Sequence, residues 1–411
     1  MRKLLLLLFP IALWATNGYQ QIGIGTRSQG MGGVGVSYPQ DTFAVAHNPA
    51  GTAYIVNRAD LELQYRHSHA NVRIRPFQGN AFEFRHTTST DALYPSAGAN
   101  QCLSPCLTTG LAFYRLGGWK VDYDAPLPQL AEAQLVNQPF PPQTPTSSQY
   151  EVYLLSPSIA WKLSRCHAFG LSLNVGFSWL DFDGIQPFAT PANSIHPNSV
   201  TNRGTSFTSG VGFSIGWIGH LFRSWTVGLS YRSKTWMTRH TPYEGFIADQ
   251  GRFDIPAQWG IGTTFHCCDT FLISADAVRI MWADVKMLKH DQHRTGRYGS
   301  FNGRGFGWKD QFAAKVGLEW RLLPCFTLRG GWNYGDIQTG AFECLINSLT
   351  QSVIEHHFTI GATYRHRCHE LSVAYVHELY HNVACFDATA NRHIKLKSEQ
   401  KVAALSYAYL W

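Results

Sequence analysis

The chain has 411 residues, of which 15% are charged and 14% aromatic, with 37 glycines and nine cysteines. Its net charge of +7 is dispersed without Lys/Arg runs, which argues against a nucleic-acid partner. Length alone would suggest two or three soluble domains, but barrels escape that expectation. The slightly negative mean hydropathy does not exclude a membrane protein either, because half of each barrel strand faces a polar lumen.

The N-terminus reads as an export signal. Arg2 and Lys3 precede an apolar stretch from Leu4 to Leu13, broken only by Pro10, and small or turn-forming residues follow from Ala15 to Gly18. That stretch is too short to span a bilayer as a helix, so a cleaved signal peptide over residues 1–17 is expected. Loss of Arg2 and Lys3 would take the net charge from +7 to +5 (7 − 2). No later run approaches 20 apolar residues, so no helical anchor is expected.

Residues 18–56 show no alternation. They are rich in glycine (Gly23, Gly25, Gly30, Gly32, Gly33, Gly35) and end in Asn48-Pro49-Ala50-Gly51. Such a segment is compact and turn-rich.

From about residue 59 the chain falls into short runs of period two. Leu61, Leu63 and Tyr65 alternate with Glu62, Gln64 and Arg66, and Leu171, Leu173, Val175, Phe177 and Trp179 alternate with Ser172, Asn174, Gly176 and Ser178. One apolar and one polar face per run means strands, not helices. Fourteen runs are predicted, near 59–68, 92–101, 107–116, 150–161, 168–181, 206–217, 224–236, 257–265, 270–281, 310–321, 325–335, 354–365, 370–380 and 401–411. Short connections (102–106, 162–167, 218–223, 266–269, 322–324, 366–369) alternate with long ones (69–91, 117–149, 182–205, 237–256, 282–309, 336–353, 381–400). Short turns on one side and long loops on the other mark an outer-membrane barrel, and the even strand number fits a single bacterial chain. The last run, Leu405, Tyr407, Tyr409 and Trp411, carries an aromatic girdle. The expected fold is all-β: a 14-stranded antiparallel transmembrane barrel over residues 57–411, in the bacterial outer membrane, with residues 18–56 as a hatch filling a lumen that would otherwise be open. Outer-membrane lipid and lipopolysaccharide are its surroundings.

Three chemical signatures fail on context. His377-Glu378-Leu379-Tyr380-His381 spells HExxH, which needs a helix to bring both histidines to one face. It ends an alternating strand, where residues i and i+4 lie ~13 Å apart, out of reach of one zinc with bonds near ~2.1 Å. Gly212-Phe213-Ser214-Ile215-Gly216 spells GxSxG but lies inside a strand rather than on a strand-turn-helix elbow. Gly30 to Gly35 lacks the strand-then-helix setting of a nucleotide loop. No enzyme, cofactor or metal is therefore expected.

The cysteines are distributed unevenly. Cys102, Cys106, Cys166, Cys267, Cys268, Cys325 and Cys368 fall at or beside short turns, and Cys344 and Cys385 in long loops. Short turns face the oxidising periplasm. The odd total leaves at least one thiol without a partner in the chain. Two readings stand: disulfides within the turns or to a neighbouring envelope protein, or small residues tolerated in turns. A metal site from Cys166-His167, His266-Cys267-Cys268 and Cys368-His369 is a weaker third, because the turns are spread around a wide rim.

Several segments together resemble the FadL family of outer-membrane transporters for long-chain fatty acids and other hydrophobic molecules. Gly18-Tyr19-Gln20, Gly30-Met31-Gly32-Gly33, Asp41 and Asn48-Pro49-Ala50 resemble its hatch. Ser156-Pro157-Ser158-Ile159-Ala160-Trp161, Val227-Gly228-Leu229-Ser230-Tyr231-Arg232-Ser233, Ile255-Pro256, Ala275-Asp276, Trp282, Leu328-Arg329-Gly330-Gly331-Trp332 and His357-Phe358-Thr359-Ile360-Gly361 resemble successive strands and hairpins. Each is weak alone; their order over nearly the whole chain is specific. The terminal strand resembles the signal read by the barrel-assembly machinery, with Trp411 in place of the usual Phe.

The resemblance implies a fourteen-stranded barrel with an N-terminal hatch. It also implies passive transport: long loops capture the ligand, the hatch moves, and the ligand leaves sideways where the third strand is kinked. Asn48, Pro49 and Ala50 would be hatch structure near the ligand path, or else a plain turn. Gly110 falls where the kink glycine would be, or is a small lumen-facing residue. Phe182, Phe188, Tyr243 and Phe246 lie in loops at the position of the ligand-capturing ones, and Leu127, Leu130, Leu135 and Phe140 in the Pro-rich loop 117–149. These suit an apolar groove or ordinary loop packing. Arg232 or Lys234 would meet a fatty-acid carboxylate. The alternatives are a diffusion porin for broad or polar solutes and a structural envelope protein cross-linked through its cysteines.

Overall fold

The computed structural model describes residues 17–76, 84–124, 144–340, 342–387 and 392–411. The expected signal peptide and Leu127, Leu130, Leu135 and Phe140 lie outside the described residues, apart from Asn17. The strands are β1 (Arg58–Pro76), β2 (Phe84–Ser104), β3 (Leu107–Asp122), β4 (Ser147–Lys162), β5 (His167–Asp183), β6 (Ser206–Phe222), β7 (Trp225–Arg232), β8 (Trp236–Met237), β9 (Gln258–Cys268), β10 (Phe271–Ile280), β11 (Gln311–Leu323), β12 (Phe326–Gly335), β13 (His356–His366), β14 (His369–Asp387) and β15 (Arg392–Leu410). Neighbours pair antiparallel in chain order, β7 pairs with β9, and β15 pairs with β1, so the sheet closes. The two-residue β8 pairs only with β6. The barrel thus has fourteen full strands, as the alternation predicts. The predicted strand 224–236 is divided at Ser233–Thr235, where Ser233 hydrogen-bonds the backbone of Phe213 through both its own N–H and its Oγ.

The alternation explains which face meets lipid. Leu61, Leu63, Leu171, Leu173, Ile215, Leu229, Ile261, Leu371 and Leu405 point outward and are exposed, while Glu62, Gln64, Ser172, Asn174 and Ser214 point inward and are buried. A lipid-facing apolar row against a polar interior is the pattern expected of a membrane barrel.

Four strands run well beyond the predicted ends. The stretches 69–91 and 381–400, expected as loops, are largely upward extensions of the β1–β2 and β14–β15 hairpins. The apolar row changes face there. On β1, Leu61 is 63% exposed, whereas Val72 and Ile74 are buried and Arg75 is exposed. On β15, Leu405 and Tyr407 face out, whereas Ile394 and Leu396 face in, with His393 and Lys395 outward. On β5, Leu180 and Phe182 turn inward past Trp179. Above the membrane, water lies outside and the interior is apolar. The reversal hides these extensions from a pattern search that assumes one apolar face per strand.

Residues 17–57 contain no membrane strand. They form three short helical pieces (Thr26–Gln29, Ala44–His47, Pro49–Tyr54) inside the barrel. Charged groups of the wall hold this plug by its backbone. The Asp276 carboxylate accepts from the N–H groups of Gly35 and Val36 (2.8 and 3.0 Å), and Lys315 Nζ donates to the carbonyls of Ile22 and Gly33 (2.6 and 3.2 Å). Tyr38 donates to Glu319, Thr26 to Glu62, and Arg27 pairs with Glu370, which also pairs with Arg58.

The disulfide falls where the sequence pattern did not point. Cys344 and Cys385, the two long-loop cysteines, are bonded, with Cα atoms 5.9 Å apart. Cys102, Cys106, Cys166, Cys267, Cys268, Cys325 and Cys368 are all free thiols, so no turn pairs with another within the chain. They sit on five turns of the short-turn rim, Cys102 with Cys106 on one and Cys267 with Cys268 on another. Among the described residues no group of three metal-ligating side chains is assembled.

Candidate functional site

Above the plug the barrel is filled by aromatic side chains from separate parts of the chain. Tyr19 lies against Trp282 (4.8 Å between ring centroids), Tyr150 (5.3 Å) and Trp119 (5.9 Å); Tyr150 meets Phe253 (4.8 Å), and Trp282 meets Trp308 (5.1 Å). Val72, Leu116, Val121, Val152, Leu154, Ile394 and Leu396 complete one continuous apolar core with them. Rings at these separations and tilts pack favourably. The apolar chamber is built by the inward-facing residues beyond the reversal point, and the sequence reading missed it for that reason.

The wall beside this chamber is not fully zipped. β2 pairs with β1 from Phe84 to Asn100, and β3 pairs with β4 along its whole length. Yet β2 and β3 pair with each other only through Ala97↔Phe113 and the residues below. From Ser96 and Tyr114 upward the two strands form a seam without ladder hydrogen bonds. Two contacts cross at its top: Thr88 Oγ1 accepts from the Asp122 N–H (2.9 Å), and the His86 and Tyr123 rings meet edge to face (6.4 Å).

The departure of β3 starts at a bulge. The register against β4 shifts between Arg115 and Gly117. Gly118 has φ +151°, and a Cβ there would lie 2.1 Å from the Tyr150 carbonyl oxygen. Only glycine fits that bend. The plug fills the place of a neighbour: Gln21 N–H donates to Leu116 O (3.1 Å) and Gly118 N–H to Tyr19 O (2.9 Å). The expected kink residue, Gly110, pairs regularly with Asn100 and Ser158 instead. The signal in the sequence was the Gly117-Gly118 pair, seven residues further on.

Side chains close the seam. Arg115 sits just below the bulge and is 1% exposed. Its Nε donates to Glu151 Oε2 (2.6 Å), the Tyr94 ring lies 3.9 Å from its guanidinium carbon, and Tyr94 donates to Glu151 Oε1 (3.0 Å). One residue from each of β2, β3 and β4 therefore substitutes for the missing ladder. Two small cavities run behind it. One, lined by Thr88, Ala92, Tyr94, Arg115, Trp119 and Arg66, faces the seam; the other joins Arg66, Trp119, His357 and Glu378 to Asn17–Ile22 of the plug. Each has about 30 Å³ of room. That is water-sized, so the seam is shut to an alkyl chain in this conformation.

The Asn48-Pro49-Ala50 segment locks the plug to the wall at β6 and β7. The Asn48 amide nitrogen reaches the carbonyls of Val36 (2.8 Å), Trp217 (3.0 Å) and Leu229 (3.2 Å), three acceptors sharing two hydrogens, and its Oδ1 accepts from Ala50 N–H (3.0 Å). Glycines admit it. A Cβ on Gly216 would lie 1.8 Å from Asn48 Oδ1, and one on Gly170 2.2 Å from the Pro49 carbonyl carbon. Nearby His47 contacts Ile24, and burial together with the Lys315 ammonium pushes its imidazole down to about 4. Asp41 is pushed the other way, up from the usual carboxylate range, by burial and the Asp60 carboxylate.

The remaining expected residues separate into two places. Phe182, Phe188, Tyr243 and Phe246 do come together, but as a buried loop core with Tyr298: Phe182–Phe246 4.9 Å, Phe182–Tyr243 5.7 Å, Phe188–Phe246 5.6 Å. They are not an exposed groove, because the loops fold inward over the barrel and bury them. Arg232 points into the lumen and donates to Gln20 and Gln258 (2.9 Å each), with no carboxylate within 4 Å among the described residues. It lines a further small cavity with His47 and Lys315. Lys234 is elsewhere, donating to the Asp284 carbonyl (2.6 Å) near Asp254.

Comparison with known proteins agrees with this architecture. The family model described as outer membrane protein transport protein (OMPP1/FadL/TodX) matches residues 17–406. A Pseudomonas aeruginosa FadL homologue has a TM-score of 0.69 at 14% identity, covering 95% of this chain and 99% of that one. The P. putida toluene transporter TodX gives 0.68 at 17% identity, with the same coverages. The Ralstonia pickettii toluene transporter TbuX gives 0.64 at 16%, again over 95% and 99%. No curated protein sequence matches. At these identities the solved structures establish likeness of fold.

Proposed function

Because the chain belongs to the OMPP1/FadL/TodX family of outer membrane transport proteins for hydrophobic compounds, we propose that it passes long-chain fatty acids or similar apolar molecules from the cell surface into the membrane. The ligand enters between the long loops and replaces ring contacts in the aromatic chamber. The plug shifts, and the ligand leaves sideways between β2 and β3. The observation that carries this reading is the seam. It is a stretch of wall without ladder bonds, adjoining an apolar chamber. Apolar burial supplies about 25 cal/mol per Å² for partition into such a chamber, which an aqueous pore cannot offer. Residues 1–17 act as the export signal and 18–56 as the moving hatch. Insertion follows the barrel-assembly machinery, and Arg232 is a partner for the ligand carboxylate at the hatch.

The direct test is saturable binding of radiolabelled oleate to the purified protein, with a general porin as control and toluene as a competitor. Oleate competed by other long-chain acids supports the fatty-acid form. Binding competed only by toluene moves the substrate to small aromatics. No saturable binding by a folded barrel refutes the transport reading.

The free thiols favour a second role. Seven cysteines on the short-turn rim suit disulfide links to a neighbouring envelope protein. Reduction-sensitive oligomers on gels support it; monomer alone, with all seven thiols free, removes it.

A further inference from the structure

We propose that the seam between β2 and β3 is a carboxylate-reading gate, with Arg115 and Arg66 as its specificity-determining residues, so that the transported class is acidic single-chain amphiphiles rather than neutral hydrocarbons. This rests on the transport reading above.

The guanidinium of Arg115 lies at the foot of the seam, beside the bulge of β3. It is almost wholly buried, and only its Nε is hydrogen-bonded, to Glu151. Nη1 and Nη2 are buried without a hydrogen-bond partner among the described residues. Buried donors left unmatched are costly and rare in a folded chain. Evolution of a closing plug alone would be served better by an apolar side chain. The Nη pair instead offers the planar two-pronged fork that fits a carboxylate. The Tyr94 ring covers one face of that fork, which fixes its plane.

Arg66 supplies the second cation. It faces inward from β1, lines both cavities behind the seam, and its Nε is likewise buried without a partner. Any ligand moving from the plug to the seam passes it before reaching Arg115. Two acids share the region: Glu151, held by Arg115 and Tyr94, and Glu378, 3.7 Å from His357. They offset the two arginines in net charge without occupying the Arg115 fork. An arriving carboxylate takes the fork and competes with Glu151 for Arg115. This loosens the Tyr94–Glu151–Arg115 closure that replaces the ladder. A neutral hydrocarbon has no group with which to do so.

The test uses the full mature chain in detergent and in vesicles, with oleate, methyl oleate and toluene as probes. The wild type is expected to prefer oleate over methyl oleate by about tenfold or more, the discrimination that hydrogen bonds to a charged group supply. Arg115→Gln and Arg66→Gln should each erase most of that preference while methyl oleate binding persists. Arg115→Lys, which keeps the charge without the fork, should restore it only in part. Glu151→Gln should strengthen oleate binding by freeing Arg115. Folding of each variant is checked by heat-modifiable gel migration. If the wild type binds both compounds saturably and Arg115→Gln leaves their ratio unchanged, the gate is wrong and the transport reading stands. If the wild type binds none of the three, both fall.

Discussion

Replacing Asn48 by Ala should undock the plug without unfolding the barrel. The substitution strips the Ala50 N–H and the Val36 carbonyl of a buried partner. The carbonyls of Trp217 and Leu229 are left out of the sum because they belong to paired strands. A buried polar group left unmatched costs ~1–3 kcal/mol, so two such groups cost about 2–6 kcal/mol, of which about 3 kcal/mol is a conservative figure. At 1.4 kcal/mol per decade, the docked-to-undocked ratio falls roughly a hundredfold. The loss also removes the cap of the Pro49–Tyr54 turn, where Asn48 accepts from Ala50. Hydrogen exchange reads this directly. Amides of Gly30–Thr52 should exchange about two decades faster in the variant, while the barrel strands stay unchanged. Conductance in planar bilayers should rise, because the plug blocks the lumen. Plug exchange equal to that of the wild type would refute the idea that Asn48 fastens the hatch to β6 and β7.

Three further outcomes follow from particular groups. Cys344→Ala or Cys385→Ala should loosen the cap over the barrel and speed its proteolysis; the bond closes a 41-residue separation, which by chain entropy is worth up to about 4 kcal/mol. The barrel's resistance to detergent should be unaffected. A membrane-impermeant maleimide added to the unreduced protein should label the seven rim thiols and spare Cys344 and Cys385; fewer than seven adducts in protein taken directly from the envelope would indicate existing cross-links. His47, whose folded value is pushed down to about 4 from 6.5 by burial and Lys315, binds fewer protons in the docked plug than in a released one. Its contribution of roughly 3 kcal/mol is therefore present at pH 7 and lost as pH falls from about 6.5 towards 4. Asp41, raised on docking, acts in the opposite sense, since its proton is held more tightly by the docked form. Plug exchange measured against pH in His47→Gln should lose the acid-side acceleration; if it keeps it, another group is responsible.

The sequence carried the barrel well, for a physical reason. Lipid outside and polar groups inside impose period two on every span, so Leu61, Leu63 and Tyr65 report a strand with no structural knowledge. The upper extensions obey the same period with the faces exchanged, and Val72, Ile74, Ile394 and Leu396 then read as isolated apolar residues in loops. The seam was illegible because it is an absence of pairing between β2 and β3, and pairing is not written in either strand alone. Arg115 illustrates this: Glu151 is 36 residues away and Tyr94 is on another strand. Asn48 could be singled out by resemblance, but its work depends on glycines at 170 and 216, which local context marks only as flexible points. The cysteines misled because compartment and turn position say where a disulfide is permitted, whereas distance says which one forms.

The reversal of faces and the seam occur at one level, and this links fold to function. On β1 the inward row turns apolar between Arg66 and Ala70, whose partners on β2 are Ala92 and Thr88. The unpaired part of β2 includes these residues and begins four positions lower, at Ser96. Below Ser96 the interior is polar and the wall is zipped; a gap there would expose unmatched backbone groups to lipid, which is costly. Higher up, beyond Thr88, a gap would open to water and hold no apolar ligand. Only in the band between them does a parting of the wall join an apolar interior to the lipid edge. The bulge at Gly117-Gly118 sets β3 leaving β2 at the bottom of that band. The backbone groups freed on β3 are met there by Tyr19 and Gln21 of the plug. A plug that moved would withdraw those partners and weaken the upper part of β3 at once, so the proposed release route couples hatch motion to seam opening.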